Sequence, residues 1–174
     1  MVELDVIRSA VKAGQTAPDF ALPEVRGGTV VLQHLLERGS AIICFQCRPF
    51  DSAAFEALSA LQPEVARLGA TIVVIVPPYR AEAAGPDLSS LPFPAGQDHD
   101  GKVARAYGLD LARPHPQAQS RTKPATYVVD RDGRIVLSLI DTTCRDCIEP
   151  RQLLAALAGL RRRDHSQREH SQPE

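Results

Sequence analysis

The chain has 174 residues, a formal net charge of −1, and apolar and charged fractions of 44% and 24%. That length suits one domain able to bury a real core, and the near-neutral balance supplies no field to attract nucleic acid or a membrane surface. Its long apolar runs, such as "ATIVVIV", are strand-sized and far below a spanning helix. The opening "MVELDVIRSAVKAG" carries acidic residues and no apolar core run. It does not resemble a secretory signal, and the expected location is cytoplasmic.

In chain order, "ELDVIRSAVKAG" has apolar residues near helical spacing and a glycine stop, which predicts a short amphipathic helix. "GQTAPDFALPEVRGG" is rich in Pro and Gly and reads as extended or turning. "TVVLQHLLERG" begins strand-like and becomes a short helix, with His34 an ordinary surface or half-buried residue. "SAIICFQC" is a continuous apolar run, the mark of a strand covered on both faces. "DSAAFEALSALQPEVARLG" is helical, capped by Asp51 or Ser52, with Phe55, Leu58, Leu61 and Val65 along one face.

"ATIVVIVPP" is a second buried strand, and the following "YRAEAAGPDLSSLPFPAGQD" is a loop or weak helix. His99 sits in an exposed turn. "GKVARAYGL" is a short helix, and "DLARPHPQAQSRTK" is a long, proline-broken connection. "PATYVVDRDGRIVLSLID" is a strand, a turn and a strand, hence a hairpin. "EPRQLLAALAGLRRR" closes the domain as a helix with Pro150 in its first turn. Residues 1–163 therefore form the domain, and the polar residues 164–174, including His165 and His170, are expected to be a disordered tail. The order of elements predicts an α/β fold: a central mixed sheet with helices on both faces.

The four cysteines fall in two C-x-x-C pairs, Cys44/Cys47 and Cys144/Cys147. Without an export signal this spacing points to redox or metal chemistry more than to a disulfide framework. Cys44 lies within a strand. If the strand stays regular through Cys47, the two sulfurs point to opposite faces about 10 Å apart and cannot bond. Cys44 is then a small core residue, while Cys47, beside Arg48 and a helix N-terminus, is placed to favour its thiolate. Cys144 and Cys147 belong to a connection ahead of the last helix, where residues three apart can face each other.

Several phrases, in order, resemble the thioredoxin-fold alkyl hydroperoxide reductase/thiol-specific antioxidant (AhpC/TSA) family of peroxiredoxin-like proteins. "GQTAPDFALPEV" is similar to its G-x-x-A-P-D-F-x-L-P opening. "FPAGQDHDGKVARAYGL" is similar to its F-P-x-x-x-D-x-x-x-x-V-A-x-A-Y-G-L segment, and "KPATYVVDRDGRIV" to its P-A-T-F-V-I-D-x-D-G-x-I segment. The resemblance spans about residues 14–160. It departs at the catalytic elbow. Laying Phe45 and Ala60-Leu61-Gln62 on the family's F-Y-R-G-x-W-C-P-x-C and closing A-L-Q needs no gap. The peroxide-attacking cysteine then falls on Asp51 and the second cysteine on Ala54. A carboxylate has no sulfur to oxidise, so the usual peroxidase chemistry is expected to be lost, and Asp51 is most simply a helix cap.

The family fold also implies that Cys47, Cys144, Cys147 and Pro124, which matches its cis-proline position, gather at one end of the sheet. Three readings stay open there. The first is thiol–disulfide oxidoreductase or redox-sensing activity through Cys144 and Cys147, with Cys47 as an exchange partner. The second is zinc held by Cys47, Cys144, Cys147 and His115. The third is a scaffold with inert cysteines. The resemblance also implies that the segments carrying Arg48, Asp51, His115, Arg121 and Lys123 converge on the same elbow, where these polar residues would suit a small-ligand pocket or belong simply to a solvated loop. The first reading needs no cofactor and implies a thiol reductant or client protein as partner. Family members often form dimers, which makes a homodimer a candidate assembly.

Overall fold

The computed structural model describes residues 10–48, 52–77, 88–111, 113, 121–140 and 148–169. Its centre is β3 (Ser40–Phe45), in which every residue is buried. A strand this apolar is stable only with both faces covered, and its neighbours cover them. β4 (Ala70–Val76) pairs parallel to it, and β6 (Ala125–Val129) antiparallel. β5 (Ala95–Gln97) and β7 (Ile135–Ile140) complete a five-stranded sheet of order β5-β4-β3-β6-β7. A separate hairpin, β1 (Ala21–Pro23) and β2 (Thr29–Val31), precedes it.

Side-chain alternation divides β3 between two apolar layers. Ala41, Ile43 and Phe45 face α1 (Leu32–Arg38) and the segment around α3 (Lys102–Ala106), meeting Leu32, Leu36, Val103 and Tyr107. Ile42 and Cys44 face α2 (Ser52–Arg67) and α4 (Pro150–Glu169), meeting Phe55, Leu58, Leu153 and Leu157. The α2 stripe expected from the sequence is the buried one: Phe55, Leu58, Leu61 and Val65. Each fully buried Leu or Phe contributes about 1.5–3 kcal/mol, so helices on both faces follow from the sequence of β3 itself.

Three local features differ from the sequence reading. Residues 10–14 are not helical, because Val11 N–H bonds Tyr107 O at 3.0 Å and Gly14 N–H bonds Ile135 O at 2.8 Å; residues 3–9 of that expected helix lie outside the described residues. Ala95–Gln97, expected within a loop or weak helix, is a strand that no apolar run announces. Gly96 passes beneath the β1–β2 hairpin so closely that a Cβ would lie 2.9 Å from Val30 Cγ1 and 3.1 Å from Leu22 Cβ. Finally, α4 continues through Glu169, so residues 164–169, expected as tail, are helical. They contain no Gly or Pro to stop a helix, and Ser166 Oγ donates to Arg162 O at 3.1 Å.

Two buried polar groups hold the α3 region. Asp98 accepts hydrogen bonds from Val103 N and Ala104 N at 3.2 and 2.9 Å, capping α3 from a 1% exposed position. Tyr107, packed at tilted angles against Phe45 and Tyr127 at centroid distances of 4.8 and 5.3 Å, donates its hydroxyl to Pro18 O at 2.8 Å. Burial, with smaller contributions from Tyr127 and Asp19, raises the Tyr107 phenol well above its ordinary range.

Gly39, between α1 and β3, has no room for a side chain: a Cβ would lie 1.9 Å from Gly69 O, a backbone atom. Gly39→Ala should cost about 1–3 kcal/mol in urea unfolding, since the start of the β3–β4 pairing must shift. The Tyr107 phenol is raised in the fold, so its contribution is complete below about pH 10 and lost as pH rises above that value toward the folded one. Tyr107→Phe should flatten the decline of stability above pH 10, while costing about 0.5–1.5 kcal/mol at neutral pH for the bond to Pro18.

Candidate functional site

The sheet brings four chain segments to one end. β3 and β4 run parallel and finish together, with Phe45 opposite Ile75. The ladder continues one residue further, because Gln46 N–H bonds Ile75 O at 3.0 Å. On the other side of β3, β6 starts with Ala125 opposite Phe45, which sets Pro124 beside the end of β3. β7 finishes next to it, with Ile140 opposite Ala125. The chain bends at Cys47 and Arg48, four residues before α2 begins.

The two cysteines of "CFQC" have different fates. Cys44 remains a thiol in the core, 2% exposed. Its Sγ accepts from Gln46 Nε2 at 3.0 Å and lies 3.5 Å from Thr126 Oγ1, which stands opposite it on β6. Cys47 is 5% exposed and its sulfur is held in a disulfide. The strand ends at Phe45, two residues earlier than a regular run to Cys47 would require. Cys44 is not the partner of Cys47, since it is a thiol.

Arg48, partly exposed, has a buried Nε with no hydrogen-bond partner among the described residues. Arg121 is exposed, with its Nε on Leu111 O at 3.1 Å, and Lys123 is partly buried. The Lys123–Pro124 peptide is trans, so Pro124 matches the expected proline position without its cis bond. Pairing explains the extended form here: Leu111 N–H bonds Arg121 O at 2.6 Å and Lys123 N–H bonds Leu109 O at 2.7 Å, and trans is the ordinary isomer. Ala54, where the family's second cysteine would fall, is buried in the first turn of α2.

Asp51, His115, Cys144 and Cys147 lie outside the described residues. Among the described residues, no three or more His, Cys, Asp and Glu side chains gather as a metal site would need, and no helix is long and apolar enough to cross a membrane. The sequence reading did not single out Gln46 or Thr126. The signal for Gln46 was its place two residues from Cys44, on the same strand face; Thr126 shows itself only through the β3–β6 register.

Solved structures with this fold include the peroxidoxin BcpB from Mycobacterium tuberculosis, 24% identical over 86% of this chain and 98% of that one, with a TM-score of 0.70. AhpC from the same organism is 18% identical over 87% and 94%, with a TM-score of 0.68. A putative thiol:disulfide interchange protein, DsbE, from Chlorobium tepidum is 24% identical over 86% and 99%, with a TM-score of 0.61. These likenesses establish a thioredoxin-like α/β fold of the peroxiredoxin type. Residues 13–138 match the AhpC/TSA family, and the chain belongs to that family. No curated protein sequence matches it.

In the reduced protein, Cys44 should resist thiol reagents under native conditions, since its sulfur is enclosed by Gln46, Thr126 and the α2 layer. Alkylation followed by peptide mass mapping should label it only as urea unfolds the chain. Rapid native labelling of Cys44 would contradict its enclosure.

Proposed function

We propose that this chain is a thiol–disulfide redox protein on a peroxiredoxin-like scaffold, working through Cys47 and the "CRDC" thiols Cys144 and Cys147. Peroxide reduction at the usual family position is absent, because Asp51 stands there and has no sulfur to carry a sulfenic acid. The observation that carries the reading is the disulfide at Cys47 beside a Cys44 that stays a thiol. In a chain of four cysteines, an internal partner for Cys47 comes from Cys144 or Cys147.

The sheet makes that pairing reachable. β7 ends at Ile140, two strands from β3, which is about 10 Å at the usual strand spacing. Cys144 and Cys147 follow four and seven residues later, and an extended chain covers roughly 3.3–3.6 Å per residue. Ile148, next to Cys147, is buried in the layer that contains Cys44 and Phe55. In exchange, a donor thiolate attacks one sulfur of the disulfide and displaces the other as thiolate. A second donor thiol resolves the mixed disulfide, so two electrons and two protons enter the protein and the donor leaves oxidised. The partner is accordingly a dithiol reductant or a client protein with exchangeable thiols. A zinc thiolate and a disulfide at the same Cys47 sulfur exclude each other, which ranks metal binding second.

Non-reducing peptide mapping should link Cys47 to Cys144 or Cys147, reversibly with dithiothreitol, and intact mass should show one chain. Hydrogen peroxide consumption with a thioredoxin donor should stay near background. Robust peroxide turnover that survives Cys47→Ser, Cys144→Ser and Cys147→Ser together would overturn the reading. Stoichiometric zinc with masked thiols would replace it by the metal site.

A further inference from the structure

The thiol of Cys44 has no part in the exchange, yet it sits in a buried polar trio directly beneath the redox loop. Cys44, Gln46 and Thr126 are 2%, 5% and 0% exposed. Gln46 Nε2 donates to Cys44 Sγ at 3.0 Å, and Cys44 Sγ and Thr126 Oγ1 share a hydrogen bond at 3.5 Å. The amide of Gln46 and the hydroxyl of Thr126 thus both meet the Cys44 sulfur. Cys44 and Thr126 are both fixed by the β3–β6 ladder, whereas Gln46 lies one residue past the strand's end. Its backbone N–H holds Ile75 O at 3.0 Å, so main chain and side chain are both anchored just before Cys47.

A buried amide is costly unless it is satisfied, and a leucine of similar size would suit this apolar layer without that cost. We infer that Gln46 is a positioning residue for Cys47: clamped on the Cys44 sulfur, it fixes where β3 ends and holds Cys47 in its enclosed, disulfide-competent position. This rests on the reading of Cys47 as the redox thiol. The clamp acts through the backbone and does not touch the reacting sulfur.

The test uses the full-length reduced protein carrying Cys144→Ser and Cys147→Ser, so that Cys47 has no internal partner. Iodoacetamide labelling of Cys47 is followed against pH by mass spectrometry. Gln46→Leu and Cys44→Ala should each accelerate it about fivefold or more, because the loop that encloses the sulfur is released. Cys44→Ser, which keeps an acceptor, should remain within about twofold, and the double Gln46→Leu, Cys44→Ala variant should add little to either single change.

In the four-cysteine chain, Gln46→Leu should also move the equilibrium of the Cys47 disulfide with glutathione about threefold or more. Urea unfolding is measured alongside. Labelling rates unchanged in both Gln46→Leu and Cys44→Ala, or rising only in proportion to lost global stability, would overturn the inference. A Cys47 that forms no reversible disulfide in the parent chain would instead defeat the redox reading, while the labelling series still decides whether the clamp exists.

Discussion

The whole arrangement depends on β3 being apolar on both faces. Six consecutive buried residues cannot be satisfied by one packed layer. They require α1 and the α3 region on one side and α2 with α4 on the other. They also require strands on both edges, because buried backbone groups need partners. β4 and β6 provide these in opposite orientations. That mixture has a functional consequence: the ends of β3, β4 and β7 and the start of β6 meet on a single side, where the loop with Cys47 and Arg48 begins.

At that side the chemistry changes within four residues. Phe45 belongs to the aromatic cluster with Tyr107 and Tyr127, Cys44 and Gln46 to a buried polar contact on the other face, and Cys47 to a disulfide. The chain keeps the AhpC/TSA scaffold, and the family motif laid on its sequence sets Asp51 at the position expected to hold a cysteine. Cys47 is the described thiol position at that end of the sheet, and the proposed exchange chemistry is built on it.

The fold was largely legible because its signals are local. The apolar runs of β3 and β4, the Phe55/Leu58/Leu61/Val65 stripe of α2 and the "RDG" hairpin each specify an element from neighbouring residues alone. Where the reading differed, the deciding partner was distant in sequence. Ala95–Gln97 is a strand because β4 pairs with it and the β1–β2 hairpin covers Gly96. Residues 10–14 are not helical because Tyr107 and Ile135 accept the N–H groups of Val11 and Gly14.

The same division holds for the site. The sequence by itself determined the number and spacing of the thiols, the absence of a cysteine at position 51, and the burial of Cys44, since side-chain alternation in a two-faced strand leaves it nowhere else. Only the tertiary structure decided that the strand stops at Phe45, that Gln46 turns back onto the Cys44 sulfur with Thr126 opposite, that the Pro124 peptide is trans, and that Cys47 is enclosed in a disulfide. The physical reason is that strand termination and side-chain pairing across β3 and β6 depend on contacts between residues some eighty positions apart, which periodicity along the chain cannot encode.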